Sequence, residues 1–246
     1  MHLGEARTPD GMRLYAIGDV HGCDGMLADM HQRIGEDLAA RSVEDHRIIH
    51  IGDYGDRGSD SARVIARLVA MTAADRRVTC LKGNHDQMLL DFLDDPLGAG
   101  DVFLANGGDT TVASYGIASG GLPILRSEYD ALAAALGERM PATHRAFLDG
   151  LPYAVRFGDY FFCHAGIRPG VPLERQDPND LIWIREPFLS DRRDHGAVVV
   201  HGHTPVARPE VKPNRINIDT GAVYGGPLTC VVLDGVGHRF LSVGPG

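Results

Sequence analysis

The chain has 246 residues and a formal net charge of -9, with 43% hydrophobic and 23% charged residues. This composition is typical of a globular protein, so it excludes a disordered chain and a fibrous one. The acidic balance argues against nucleic acid or an anionic membrane surface as a partner, because both bind proteins through an excess of Lys and Arg.

Three short apolar stretches in the first third of the chain each run into a glycine, at 13–17, 47–51 and 78–82. Each stretch predicts a buried strand that ends at a turn. Amphipathic patterns between them predict helices at 26–38 and 62–71. The strand spacing matches a β-α-β unit, so we expect the three strands to be parallel neighbours.

The middle of the chain is predicted to be a mainly helical insert at about 86–150, interrupted by a Gly-rich connector at 106–121. The second half returns to strands, with a hairpin turn predicted at Gly158. These strands are expected at 154–157, 160–163, 197–200, 215–218, 229–233 and 238–243. We therefore expect one domain, 1–246, in which two sheets with outer helices enclose one core.

Four cysteines, Cys23, Cys80, Cys163 and Cys230, are widely spaced and form no CxxC pair. This spacing is neither that of a disulfide framework nor that of a zinc ribbon. Reduced thiols suit the cytoplasm. The sequence also has no apolar run of the ~20 residues that a membrane span needs, and residues 1–10 lack the apolar region of a signal peptide. A cytoplasmic protein is expected.

Polar motifs follow each of the first three predicted strands: GDVHG at 18–22, GDYGDRG at 52–58 and GNHD at 83–86. Loops at the carboxyl ends of parallel strands converge on one crevice. We therefore expect a cluster of Asp19, His21, Asp53, Asn84 and His85. Carboxylate, imidazole and amide ligands together suit Mn, Fe, Zn or Mg.

Two later motifs add imidazoles at the ends of predicted strands, HAG at 164–166 and GHT at 202–204. With His164 and His203 the polar set is large enough for two metal ions about 3.5–4 Å apart that share a carboxylate and a bridging water or hydroxide.

The ordered set of five motifs over residues 13–221 resembles the phosphoprotein phosphatase branch of the calcineurin-like metallophosphoesterases, of the bacterial serine/threonine phosphatase type. The resemblance implies an α/β fold, a four-layer αββα sandwich of two mixed sheets flanked by helices. It also implies a metal-dependent phosphatase that holds two divalent ions. Mn is favoured, with Fe, Zn or Mg as alternatives.

The resemblance assigns roles to residues that match the family motifs. Asp19, His21 and Asp53 correspond to the ligands of the first metal, with Asp53 as the bridge. The ligands of the second metal correspond to Asp53, Asn84, His164 and His203.

The catalytic residues of the family correspond to two further positions. His85 matches the general acid, and Asp56 matches the carboxylate that orients its imidazole. Arg57 and Arg185 match the phosphate-binding arginines. The expected reaction is in-line attack of a metal-bridging hydroxide on a phosphomonoester, with His85 protonating the leaving oxygen.

The expected substrate is a serine/threonine phosphoprotein or a small phosphoester, and neither nucleic acid nor a membrane is expected as a partner. The insert at 86–150 is expected to shape the substrate pocket, with the Gly-rich run 106–111 at its rim. This run lacks the lysine of a P-loop. A monomer is expected, because no long apolar stripe is left over.

Two alternatives remain open. A symmetric diadenosine tetraphosphate hydrolase would share most of these motifs, although the acidic residue Asp56 before Arg57 favours the phosphatase. A non-catalytic module that recognises phosphate would show degenerate metal ligands, and the motifs here lack none of them.

Overall fold

The structure is a computed structural model that describes residues 1–118 and 125–244; the last part of the connector expected at 106–121 lies outside these residues. The first half of the chain alternates strands and helices: β1 (Met12–Ile17), α1 (Asp24–Ala40), β2 (Asp45–His50), α2 (Ser61–Ala74) and β3 (Val78–Cys80). Helices follow over the predicted insert: α3 (Asn84–Asp94), α4 (Pro96–Ala105), α5 (Gly108–Ser114), α6 (Tyr129–Arg139) and α7 (Ala142–Asp149).

The remaining elements supply most of a second sheet and complete the first. They are β4 (Ala154–Phe157), β5 (Tyr160–Cys163), α8 (Pro178–Trp183), β6 (Val198–His201), β7 (Glu210–Lys212), β8 (Arg215–Asn217), β9 (Leu228–Asp234) and β10 (Gly237–Val243). One sheet has the order β10-β9-β1-β2-β3, and the other has the order β4-β5-β6-β8-β7.

Both sheets are mixed. Strands β1, β2 and β3 are parallel neighbours, as the β-α-β spacing predicts, whereas β9 pairs antiparallel with β1. In the second sheet β5, β6 and β8 are parallel, and β4 joins β5 through the predicted hairpin at Gly158. The parallel strands of each sheet therefore end at a common edge, where loops can bring polar side chains together.

Alternation along β1 shows how the layers form. Leu14 and Ala16 pack in the core between the two sheets, with Phe162 of the second sheet. Tyr15 and Ile17 point to the opposite face and pack in the core beneath the helices. Because successive side chains of a strand point to opposite faces, one strand serves both cores.

The outer face of the second sheet is covered by a smaller layer. Leu181 of α8 packs there with Phe188 and Val199 in a third core. Helices on one sheet and this layer on the other enclose the two sheets. The expected four-layer α/β sandwich is confirmed.

One helix lies where the sequence predicts a connector. The connector expected at 106–121 is partly wrong, because α5 occupies part of it. Helix α4, within the predicted helical insert, begins at Pro96, where the missing N–H of proline costs nothing. Gly100 lies against the ring of Tyr129, where a Cβ atom would overlap it. This glycine allows α4 and α6 to pack closely.

Among the described residues, none of the helices combines the length and the apolar character that a bilayer crossing requires.

A pair of imidazoles between α1 and β2 makes the fold sensitive to acid. The Nε2 atoms of His31, half-buried on α1, and His50, buried at the end of β2, lie 2.9 Å apart. Burial, followed by the charge of Arg67, lowers the pKa of His31 to about 4. Burial and the neighbouring His31 also lower the pKa of His50 well below its ordinary value. Both imidazoles are therefore neutral in the folded protein at neutral pH.

We expect the free energy of unfolding to fall as the pH drops from about 6.5 toward 4, because the unfolded chain takes up the proton of His31 first. The contribution of His31 is fully present above pH 6.5, and about 3 kcal/mol of it is lost by pH 4. Urea unfolding of His31→Gln should show a flatter pH dependence over this interval. The exposed His238→Gln should keep the wild-type slope, and an equal slope in all three proteins would contradict the assignment.

Candidate metal centre

The polar motifs of both sheets meet at one edge of the sandwich. Three of them follow β1, β2 and β3, and the other two follow β5 and β6. The sheets are joined there by polar contacts. Nδ1 of His164 lies 3.1 Å from the carbonyl oxygen of Ile51, and the backbone N–H of His203 donates to Asp19 Oδ2 at 3.1 Å.

Asp53 stands at the centre of this edge. Its Oδ2 lies 3.4 Å from Nε2 of His21 and 3.3 Å from Nε2 of His164. Two buried groups of three side chains share it, and the ligand atoms within each group lie within 4.8 Å of one another. They are His21, Asp53 and His85, and Asp53, His164 and His203. One carboxylate thus faces both groups.

Asn84 completes the second group. Its Oδ1 lies 2.9 Å from Nε2 of His164 and 2.9 Å from Nδ1 of His203. The four residues that the sequence assigns to the second metal are therefore in contact, with one carboxylate, one amide oxygen and two imidazole nitrogens facing each other.

The first group differs from the set that the sequence predicts. His85 occupies the place expected for Asp19, and its ring packs edge-to-face on that of His21, with centroids 4.7 Å apart. Asp19 is buried at the same edge, but its carboxylate accepts the N–H of His203. Burial, then the nearby Asp219, raises the pKa of Asp19 well above its ordinary value.

Two of the imidazoles, those of His21 and His203, are held in the neutral form that binds metals. Nδ1 of His21 donates to the carbonyl oxygen of Gly55 at 2.8 Å, which leaves a lone pair on Nε2. Burial lowers the pKa of His21 to about 3 and that of His203 to about 2, so both rings are neutral. Nε2 of His203 is buried and has no hydrogen-bond partner within residues 1–118 and 125–244.

The charges at this edge also suit cations. Burial lowers the pKa of His164, but the carboxylates of Asp53 and Asp19 outweigh that effect and raise it to about 9. Asp219 and Asp86 add two more buried carboxylates. Buried carboxylates in this number need compensating positive charge. The neutral imidazoles of His21 and His203, an amide oxygen and these carboxylates therefore fit divalent metal ions, and a cation bound there would displace the proton of His164.

A second pair of side chains lies beside the ligands. Nδ1 of His85 contacts Asp56 Oδ2 at 2.7 Å, and both residues are buried. The hydroxyl of Thr111, from α5, donates to Asp56 Oδ1 at 2.6 Å and accepts the backbone N–H of Asp56 at 2.8 Å. The imidazole is thus fixed by a carboxylate, which is itself fixed by the insert.

We expect Thr111→Val to slow turnover by about tenfold, because it removes one hydrogen bond to a buried carboxylate. The shape of the side chain is retained. Metal content should not change, and kcat should fall more than KM rises. Ser114→Ala, one helical turn away in α5, is the matched control, because its hydroxyl contacts only backbone groups. Equal kcat values for Thr111→Val and the wild type would contradict the positioning role.

The loops that carry the site have unusual backbone conformations. Among the residues that the structure describes, five non-glycine residues have positive φ values between 43° and 68°: His21, Asp53, Asp56, Arg57 and His203. All five are residues that the sequence analysis assigns to the site. Such conformations are unfavourable for L-residues and persist where surrounding contacts enforce them.

Asp86 supplies part of this enforcement. Its carboxylate accepts the backbone N–H groups of Asp53 at 3.0 Å, Tyr54 at 3.1 Å and Gly83 at 2.8 Å. Gly83 must lack a side chain, because a Cβ atom there would overlap the Asp53 carboxylate. The sequence analysis assigned no role to Asp86, although its place at the end of the GNHD motif was a usable signal.

A small cavity of about 120 Å³ opens beside the ligands. Arg57 and Arg185 both line it, so the structure brings Arg185 to the place that the resemblance implies. Nη1 of Arg57 lies 2.7 Å from Nε2 of His21. Asn106, from the Gly-rich run, and Trp183, from α8, also line the cavity, and the sequence analysis did not single out Trp183.

Comparison with known proteins supports one family. The family profile described as calcineurin-like phosphoesterase matches residues 12–229. The chain is 32% identical over 238 residues to a protein of Bacillus mycoides named bis(5'-nucleosyl)-tetraphosphatase PrpE [asymmetrical], and 89% of each chain is covered. A Bacillus cereus protein of the same name is 30% identical over 237 residues, again with 89% of each covered.

Solved structures share the fold at lower identity. The crystal structure of a candidate diadenosine tetraphosphatase has a TM-score of 0.67 and 22% identity, and the alignment covers 98% of this chain and 100% of that one. A cold-active protein tyrosine phosphatase has a TM-score of 0.56 and 17% identity, with 97% and 82% covered.

Proposed function

The chain belongs to the calcineurin-like phosphoesterase family of metal-dependent phosphoester hydrolases, and from that premise we propose that its substrate is a dinucleoside tetraphosphate. The names of the Bacillus relatives support a phosphoanhydride substrate of this class. Those names specify asymmetrical cleavage, so we favour it over the symmetric cleavage that the sequence analysis left open. The four free thiols are compatible with a cytoplasmic location.

We propose two divalent ions, with Mn²⁺ favoured. Asp53 would bridge them, with His21 and Asp19 on one side and the group of Asn84, His164 and His203 on the other. Bound ions would lower the pKa of a water toward ~7 and offset the charge of the phosphate groups. Asp19 would have to leave its bond to the N–H of His203, or keep it with its second oxygen.

The observation that carries phosphate hydrolysis at this site is that Arg57, Arg185 and His85 line one cavity beside the ligands, with Asp56 in contact with His85. The choice of a dinucleotide rests on the names of the relatives. Arg57 and Arg185 would bind the non-bridging oxygens of the phosphate under attack and stabilise the charge that develops on them. His85 would donate its proton to the leaving oxygen, while Asp56 holds the ring in place.

A serine/threonine phosphoprotein is the second candidate, and the buried His85–Asp56 pair favours it. An alkoxide is a poor leaving group that needs a proton, whereas a nucleotide leaving through its phosphate needs little help. A well-ordered general acid is therefore of most use with an alkyl phosphate.

The test is a comparison of kcat/KM for the Mn²⁺-loaded protein on diadenosine tetraphosphate and on a phosphothreonine peptide, with a chelator control. We expect the dinucleotide to be preferred and to give ATP and AMP. Two ADP molecules would indicate symmetric cleavage, and a preference for the peptide would overturn the proposal. Asp53→Asn, purified in parallel, controls for a contaminating hydrolase.

A further inference from the structure

The exposed aromatic side chains of the protein lie at one place. All the Phe, Tyr and Trp residues fall within the described ranges, and Trp183 and Tyr224 are the two that are exposed, by 42% and 63%. Such side chains normally bury their rings. Both of these instead border the candidate site, although Trp183 ends α8 and Tyr224 lies in a separate segment between β8 and β9.

Each ring contacts a different functional group. The Trp183 ring meets that of His203 edge-to-face, with centroids 6.2 Å apart, and Trp183 lines the cavity. The guanidinium carbon of Arg57 lies 5.6 Å from the centre of the Tyr224 ring. Trp183 thus borders the metal ligands, and Tyr224 borders the phosphate-binding side.

The cavity itself is too small for a nucleotide. Its volume of about 120 Å³ is below the range of about 300–1,000 Å³ that is usual for ligand pockets, and it is lined mainly by polar groups. A phosphate held there by Arg57 and Arg185 would leave the rest of its molecule outside, over the rim. Trp183 lines the cavity, Tyr224 lies against Arg57, which also lines it, and both rings are exposed.

We propose that Trp183 and Tyr224 are the residues that bind nucleobases, by stacking, when a nucleotide's phosphates occupy the cavity. This inference rests on the proposed function. Flat aromatic rings bind bases by stacking with little preference among them, because every base has a π face. Tyr224 is held on Arg57, so the ring that stacks and the group that binds phosphate are positioned together.

The chain carries its own reporter for this test, because Trp183 is its single tryptophan. Tryptophan fluorescence can therefore be followed on rapid mixing of the Mn²⁺-loaded protein, before turnover, with ATP, with diadenosine tetraphosphate or with inorganic tripolyphosphate. Both nucleotides should quench the fluorescence in a saturable way, and tripolyphosphate should quench it much less. Equal responses to ATP and tripolyphosphate would overturn the proposal for Trp183.

Variants test the energetic contribution. Trp183→Ala and Tyr224→Ala should each raise the calorimetric Kd for the nucleotides by about 5- to 100-fold, and should affect tripolyphosphate less. Trp183→Phe and Tyr224→Phe retain a ring and should recover most of the affinity. Leu97→Ala removes an equally exposed apolar side chain elsewhere and is the matched control.

The results separate this inference from the proposed function. Suppose that the wild type cleaves diadenosine tetraphosphate and that the alanine variants lose equal affinity for nucleotide and for tripolyphosphate. This result would support the function and overturn base stacking. Selective nucleotide binding without cleavage would keep base stacking and overturn the function. Peptide hydrolysis without nucleotide binding would overturn both.

Discussion

Asp53→Asn is expected to lose both metal ions and to lower turnover by about 10³-fold or more, because it changes the one carboxylate that both ligand groups share. The same oxygen, Oδ2, lies within 3.4 Å of an imidazole nitrogen from each group. An amide has no negative charge and bridges two cations poorly. Metal analysis after Mn²⁺ loading and dialysis should find far less than two equivalents per chain.

The fold of this variant should be intact. Asp53 Oδ1 accepts the backbone N–H of His85 at 3.0 Å, and an asparagine oxygen can still accept that bond. Asp91→Asn, an exposed substitution of the same type on α3, is the matched control and should keep its metals and its activity. Two full equivalents of metal in Asp53→Asn would contradict the bridging role.

His85→Asn is expected to keep the metals but to slow the hydrolysis of alkyl phosphates by about 10²–10⁴-fold, the usual contribution of a general acid. The loss should be much smaller for p-nitrophenyl phosphate, whose leaving group needs little protonation. The loss should also be smaller for diadenosine tetraphosphate, because its leaving group is a nucleotide that departs through a phosphate oxygen. The measurement is kcat for the three substrates in wild type and variant.

Asp56→Asn is the companion variant, since it keeps the imidazole and weakens its 2.7 Å contact. Its kcat should fall in the same order among the three substrates, but by smaller factors than in His85→Asn. Equal losses on all three substrates in His85→Asn would contradict the general-acid assignment. Because His85 also lies in the first ligand group, metal analysis must accompany the kinetics.

The sequence predicts the centre of the site well because each motif stands at the end of a strand. Strand order then brings together Asp53, Asn84, His164 and His203 without any knowledge of the loops. The contact of Asp19 with the backbone N–H of His203 is not predictable in the same way, because the two residues lie 184 positions apart and follow strands of different sheets.

Residues that act from the insert could not be predicted from spacing. Thr111 donates a hydrogen bond to Asp56, which lies 55 positions earlier in the sequence. It does so from α5, a helix that the neighbouring glycines made unpredictable. The first residue of that helix, Gly108, is a glycine because the ring of Phe103 lies where a Cβ atom would be. Trp183 and Tyr224 carry no motif, and their significance appears only when both are seen beside the same cavity.

The five site residues with positive φ values limit what directed evolution can change in this protein. Glycine adopts positive φ without strain, so replacing any of them by glycine relieves about 1 kcal/mol of backbone strain. Each such replacement also removes a side chain of the site. The buried hydrogen bonds of Asp53 and Asp56 are lost as well, so the strain cannot be relieved without a cost to the fold or to the site, and a library meant to yield thermostable catalysts should hold all five positions fixed.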